Sequence, residues 1–358
     1  MNRRAIHQVL AGYSNGDAIS NEARTLRRWF REWGFESEIY CEASRILPEL
    51  RKDSRDVSRL MSDVSSEDVV MLHLSIGSDV NEIFPQCDCK KIVRYHNVTP
   101  DVYFRALDEH LAGLLAKGRV QMKALAQVAD LNLADSAYNA EELTEAGYPN
   151  AQVLPLALEL RRLNARPNPE VLDKYQDDKI NVLFVGRCVP NKRLEDLLYA
   201  FYYLQKFQNS NCRLIHVGSF AGTEAYLAML LSLKRELGLE NVFFEGSVPE
   251  ADLCAYFQVA DVFLCMSEHE GFGIPLLEAM QAKIPVMAYA SSAVPETMAG
   301  AGFLFNEKIF DELAAWIPKF AEEGPIREQV LAGQNIRIQA YEDQDVESRL
   351  REKMAPLF

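Results

Sequence analysis

The chain predicts an α/β protein built as two Rossmann-like halves facing each other across a cleft. Three observations carry that expectation. The length of 358 residues suits about two domains. Short apolar strands alternate with amphipathic helices from end to end, the pattern of helices layered on parallel sheets. A proline-rich and charge-rich stretch breaks the rhythm near the middle. Open sheets of this kind bind ligands beyond the carboxyl ends of their strands, so the cleft is the expected site.

In the first half, strands are expected at 6–10, 37–40, 69–72, 91–95 and 131–134. The polar loop Ser14-Asn15-Gly16-Asp17 leads into a helix at 18–33 that stops at Gly34, a good C-terminal signal. A long helical stretch at 105–128 precedes the last strand. Pro155, Pro167, Pro169 and the charged run 173–179 read as a connection. The expected division is therefore a domain at 1–155, a linker at 156–179 and a second domain at 180–340. A C-terminal helix at 341–358 is a candidate to pack back on the first domain. In the second half, strands are expected at 181–185, 212–217, 242–245, 261–265 and 285–288. Helices are expected at 194–207, 223–237, 252–259 and 274–282, and across most of 310–353.

Hydrophobic residues at 48% and charged residues at 25% exclude a disordered or fibrous chain. With 38 Lys and Arg against 52 Asp and Glu, the formal charge is -14. That is the wrong sign for a nucleic-acid partner, although a local basic site for a phosphorylated small molecule remains compatible. The seven cysteines have no paired CxxC spacing, and Cys87-Asp88-Cys89 alone is too few ligands for structural zinc. Reduced thiols in a reducing compartment are expected. The run after Arg4 is broken by His7 and Gln8 and does not read as a leader. No stretch approaches the roughly 18 apolar residues of a membrane span. The expected location is cytoplasmic, with peripheral contact on the cytoplasmic membrane face left open. Leu26-Arg27-Arg28-Trp29-Phe30-Arg31-Glu32-Trp33 would suit an anionic surface, but a core-packing face with charges outside accounts for it better.

Two constellations carry chemistry. Val185-Gly186-Arg187-Cys188-Val189-Pro190-Asn191-Lys192-Arg193 follows a strand. Arg187 and Lys192 could converge there on one anion, Arg as a fork and Lys as a point charge. A solvated basic loop is the plainer account of that segment alone. The second is Ser267-Glu268-His269-Glu270-Gly271-Phe272-Gly273-Ile274-Pro275, which opens a helix. Gly271 and Gly273 let backbone approach a ligand, Pro275 suits a first turn, and a helix N-terminus favours phosphate. Glu270 and Glu278 bracket that anion site, which simple capping does not explain. Glu278, one turn in, could accept hydrogen bonds from ribose hydroxyls.

Together these segments resemble the retaining glycosyltransferases of family 4, the group 1 glycosyltransferases, which have the GT-B fold. The likeness runs over roughly 180–305, in the family's order. It rests on Gly186-Arg187 with Lys192, the turn Gly246-Ser247-Val248-Pro249, and Glu270 and Glu278 eight residues apart. Ala293-Val294-Pro295-Glu296 and Gly302-Phe303-Leu304-Phe305 complete it. The resemblance implies that Arg187 and Lys192 hold the donor diphosphate and stabilise it as it leaves. Glu270 and the backbone at Gly271, Phe272, Gly273 and Ile274 would contact the donor, Glu278 its ribose and Val248 its base. Gly16 falls where the family places a glycine loop near the diphosphate, although the family often has two adjacent glycines there.

Arg94-Tyr95-His96-Asn97-Val98-Thr99-Pro100 resembles the family's His-Asn segment. His96 is assigned to the donor sugar, against the rival of a histidine bonded to a loop carbonyl. His73, Ser75 and Asn97 are candidate acceptor contacts. Ser136 reads as a helix cap at least as well as a ligand contact, and His7 and His216 as strand residues.

The implied reaction moves a hexose, with mannose slightly favoured, from a nucleotide diphosphate sugar to a glycan or lipid-linked glycan hydroxyl, with retention, in surface polysaccharide synthesis. The acceptor oxygen would attack from the face the diphosphate leaves, so no enzyme nucleophile is needed. No cofactor and no metal are expected, since Asp343-Gln344-Asp345 matches a D-x-D pattern only within a helical region. The competing classes are a GT-B epimerase or phosphorylase and a nucleotide-sugar-binding protein without catalysis.

Overall fold

A computed structural model describes residues 4–358. The chain forms two compact units. The first is built on the residues up to Arg105 with Glu109–Leu158 and Gln344–Phe358, the second on Glu159–Asp343.

The first unit holds β1 (Ile6–Leu10), β2 (Ile39–Cys41), β3 (Arg55–Asp56), β4 (Val69–Leu74), β5 (Lys90–Tyr95), β6 (Leu131–Ala134) and β7 (Gln152–Val153). All pair in parallel, in the order β3-β2-β1-β4-β5-β6-β7. Strands β1, β4 and β6 are buried along their whole length, which is why apolar residues dominate them. The order reverses between β1 and β4, where Leu10 lies opposite His73. That reversal is the place where such sheets open a crevice.

The helix Ala18–Glu32 begins at Asp17, whose carboxylate accepts from Ser20 N, and ends before Gly34 at φ +97°. Its Leu26 and Phe30 enter the core beside β1, β4 and β5, with Trp29 and Trp33 packed against the same cluster. The arginines of that helix lie outside, around an open groove of about 410 Å³ lined by Arg24, Arg27, Arg28 and Arg31. Arg27 is tied to Asp53, and Arg31 to Ser37 and Glu38. This is the core-packing arrangement, aromatics in and cations out.

The C-terminal helix Val346–Met354 sends Leu350 and Met354 into the same core. Asp345 accepts from Ser348 N and caps it, so one carboxylate of the Asp343-Gln344-Asp345 pattern serves as a cap.

The second unit holds β8 (Ile180–Val185), β9 (Cys212–Val217), β10 (Val242–Phe244), β11 (Val262–Cys265), β12 (Val286–Tyr289) and β13 (Phe303–Phe305). They pair in parallel in the order β10-β9-β8-β11-β12-β13. Strand β13 comes from the Gly302-Phe303-Leu304-Phe305 motif, which the alternation pattern alone leaves unassigned. The helix expected at 194–207 runs Leu194–Tyr203 and finishes in a π turn, Leu204–Gln208.

The segment read as a linker carries structure of its own. Pro169–Tyr175 is a helix, with Asn168 accepting from Glu170 N at its start. Tyr175 is buried against Phe243 and Tyr256, and Asp177 pairs with Arg213 at 2.6 Å. Asn168-Pro169 is a cap followed by a first-turn proline, and Val171 and Tyr175 stand one turn apart on the buried side. Proline here starts a helix instead of breaking one. Among the described residues no helix is long and apolar enough to cross a membrane, and all seven cysteines are free.

Candidate functional site

In the second unit, Gly186, Gly218 and Gly246 follow the ends of β8, β9 and β10. Gly186 N donates to Val217 O at 2.9 Å, and Gly218 N donates to Gly246 O at 2.8 Å. Gly218 has φ +154°, and a Cβ there would meet Gly186 O at 1.9 Å. Only glycine lets the two turns approach so closely. His216 binds Gly186 O through Nε2 at 2.8 Å, and burial lowers its pKa to about 4. It is a structural strand residue, as expected.

Two loops meet beyond this edge. Glu268 N donates to Asn191 O at 2.9 Å, and Asn191 Nδ2 returns a bond to His269 O at 3.1 Å. Lys192 pairs with Glu270 at 2.6 Å, both largely buried. Arg193, at φ +53°, reaches Glu195, Asp196 and Glu268, and Lys308 braces Asp196 and Glu268. Glu270 N is held by Ser292 Oγ at 2.7 Å, and Thr297 Oγ1 donates to Phe272 O. The cation and the carboxylate singled out from sequence thus lie in direct contact. Arg187 stays exposed, and among the described residues no ion pair joins it to a carboxylate. It is left open to an anion.

Gly273, at φ +91°, opens the helix Ile274–Gln281 with Pro275 in its first turn. First-turn N–H groups have no partner within their helix, which suits an anion. Phe272 and Gly273 are buried, Gly271 and Ile274 half-buried. Glu278 is buried, and Arg162 Nη2 donates to its Oε1. Burial raises the Glu278 pKa, and Arg162 opposes that rise. Arg162 also lies 3.8 Å from Glu250, two residues beyond the half-buried Val248. Sequence reading missed Arg162 because it lies in the stretch taken as a linker, where nothing about an arginine doublet points to a buried carboxylate. It also missed Asn191, Ser292 and Lys308, which act only through the pairing of the two loops.

In the first unit, a cavity of about 290 Å³ opens at the ends of β1 and β4. Tyr13, Ser14, Asp17, Arg45 and Ser75 are among the residues that line it. Gly16, at φ +74°, is exposed beside it. His73 and His96, at the ends of β4 and β5, lie coplanar and edge to edge, with Nδ1 of His73 2.8 Å from Nε2 of His96. His73 Nε2 lies 2.9 Å from Gln8 Oε1. Burial holds the His73 pKa well below 6.5. His96 Nδ1 lies 3.4 Å from Asp135 Oδ2, and His96 Nε2 lies 3.5 Å from Glu22.

Arg94 grips both oxygens of Glu22, at 2.7 and 3.3 Å. Burial alone would raise the Glu22 pKa, but Arg94 foremost holds it down at about 2. Glu22, His73 and His96 offer donor atoms within 4.8 Å of one another. Arg94 already takes both Glu22 oxygens and His73 has both nitrogens engaged, so this donor set does not fit a cation. Asn97, at φ +78°, gives its Nδ2 to Asn139 and Glu142. Ser136 caps the helix Ala137–Glu145 by accepting from Asn139 N.

Residues 167–335 match the family model described as glycosyl transferases group 1. The chain is 30% identical over 159 residues to O-antigen chain mannosyltransferase B of Escherichia coli, covering 44% of this chain and 41% of that protein. It is 28% identical over 200 residues to the GDP-mannose-dependent alpha-(1-6)-phosphatidylinositol monomannoside mannosyltransferase of Mycolicibacterium smegmatis, covering 52% and 50%. The chain thus spans about half or less of the length of these curated relatives. Over its whole length it matches the crystal structure of Anabaena Alr3699/HepE in complex with UDP and glucose. The TM-score is 0.72 at 17% identity, with 98% of this chain and 99% of that one covered. Two parallel α/β sheets in this order place the chain in the GT-B fold class, and residues 167–335 are similar to the glycosyl transferases group 1 family.

Proposed function

We propose that the chain is a retaining, metal-independent glycosyltransferase. It would move a hexose, mannose by preference, from a nucleotide diphosphate sugar to a hydroxyl of a glycan or lipid-linked glycan, in the synthesis of surface polysaccharide. One observation carries the reading. The Lys192–Glu270 pair joins two interlocked loops, and the loop bearing Glu270 ends at the N-terminus of the helix bearing the buried Glu278. A cation, helix-end N–H groups and a carboxylate one turn on form a set suited to diphosphate, sugar and ribose in sequence. The preference for mannose rests on the names of the two relatives above, and that for a GDP donor on the second of them.

The chemistry follows from those groups. Lys192, with the exposed Arg187, stabilises charge that grows on the departing diphosphate, so no metal is required for that task. Glu270 orients Lys192 and lies against the donor sugar. The family resemblance would assign His96 to the donor sugar, and the cavity beside Ser75 would take the acceptor. A peripheral seat on the cytoplasmic membrane face would suit a lipid-linked acceptor.

The test is a thermal-shift series with UDP, GDP, ADP and their sugar conjugates, with chelator present. Ligand at about 100 times its dissociation constant adds about 2.7 kcal/mol. One base should raise Tm, and Lys192→Ala or Arg187→Ala should erase the rise. With that donor and glycan acceptors, product NMR should give the donor's anomeric configuration. Inversion would overturn retention, and a reaction that chelator stops would overturn metal independence. No response to any nucleotide, with no nucleotide release, would overturn the transferase reading.

A further inference from the structure

We infer that Arg162 is a positioning residue for the nucleoside end of the donor, keeping the buried Glu278 ionised and turned so that one carboxylate oxygen stays open to ribose hydroxyls. The inference rests on the donor-site reading above and assigns it a residue outside the loops that define the family match.

Glu278 is 3% exposed and sits in the helix Ile274–Gln281. A carboxylate so placed needs a compensating charge, or it takes up a proton. Arg162, from the 3-10 turn Leu160–Asn164, supplies it by donating Nη2 to Oε1. Oε2 has no hydrogen bond within the described residues. Burial pushes the Glu278 pKa up and Arg162 is the one charge that acts against this.

Charged groups on the neighbouring helix Pro325–Glu342 include Arg327, held by the carbonyls of Asp261 and Phe320, and the exposed Glu328. Arg337 donates to Thr297 O and acts on Glu296 and Tyr341, and Glu342 pairs with Arg161 at 3.4 Å. Cys265 on β11 has its thiol pushed up to about 11, so it carries no charge. Arg162 is itself fixed from two sides, by Glu250 at 3.8 Å and by the Cys254 thiol on its carbonyl at 3.8 Å. A ribose diol needs an acceptor, and a protonated carboxyl turns one of its two oxygens into a donor. Arg162 therefore acts on the ligand through Glu278.

The experiment compares the full chain with Arg162→Met and Arg162→Lys in two measurements. The first needs no ligand. The infrared carboxylic-acid band of Glu278, identified by its loss in Glu278→Gln, is followed against pH. It should appear at clearly higher pH in Arg162→Met than in the wild type, with Arg162→Lys close to wild type. The second is calorimetric binding of UDP and GDP. Wild-type affinity should hold to a lower pH than that of Arg162→Met. In Arg162→Met it should weaken by up to about tenfold for each pH unit below the new titration point.

An unchanged band in Arg162→Met would overturn the inference. So would tighter, pH-independent binding by that variant, which would make Arg162 a block on the carboxylate. A shifted band with no nucleotide binding by the wild type would overturn the ribose role and the donor-site reading together, while locating the fault in the ligand.

Discussion

The backbone carbonyl of Ala23 can only accept a hydrogen bond, and that restriction propagates through three side chains. Gln8 must present Nε2 to it, as it does at 2.9 Å, so Gln8 Oε1 faces His73 Nε2 as an acceptor. His73 then carries its proton on Nε2 and, neutral in its buried place, offers a lone pair at Nδ1. His96 in turn must donate from Nε2, which leaves its Nδ1 toward Asp135. We predict that nitrogen-15 shifts report His73 and His96 both protonated at Nε2. Gln8→Leu should convert His73 to a mixture of tautomers. A wild-type His73 protonated at Nδ1 would sink the argument. From sequence, His73 and His96 stood out as histidines ending strands. Their coupling did not, because Gln8 and His73 are 65 residues apart and meet only through the β1–β4 register. Arg162 was hidden for the same reason, 116 residues from Glu278.

At the level of elements, the strands were legible because sheets covered on both faces demand apolar runs, and 131–134 and 212–217 fall where the pattern puts them. The helix Pro169–Tyr175 was not legible, because Pro167, Pro169 and the charges resemble a connection until Tyr175 is seen buried. The interlocked loops were legible as two motifs but not as a pair, since Asn191 and His269 are joined only in space.

The C-terminal helix tests how much a late element contributes. Leu350 is fully buried among Ile6, Phe30 and Met71, and Trp33 Nε1 donates to Glu347 at 3.0 Å. Leu350→Ala should cost about 2–5 kcal/mol, read by denaturant unfolding. Hydrogen exchange should show the loss in strands of the first unit. A loss confined to residues 344–358 would mean the helix is peripheral to that core.

For the molecule as a whole, acid should act unequally on the two units. Burial lowers the pKa of His7 and His73 in the first unit, and of His216 to about 4 in the second, all from 6.5. Below pH 6.5 the unfolded chain takes up protons that these folded histidines refuse. Their contribution to stability is complete above that pH and is lost as pH falls toward each folded value. Each proton difference amounts to about 1.4 kcal/mol per pH unit. Burial raises Glu278 and Asp261 in the second unit. These bind protons more readily folded than unfolded, so acid relieves them and offsets His216 there. Hydrogen exchange at about pH 5 against about pH 7, corrected for intrinsic rates, should therefore show the first unit loosening more. Equal loosening would contradict this account. The chain path adds a consequence in time. Strand β1 leaves a ribosome before any of Glu159–Asp343, yet the core it belongs to is closed by Leu350 and Met354, which emerge after all of that segment. The unit begun first during translation is the one finished last, and until then its half-built sheet is the surface that a nascent-chain chaperone would have to cover.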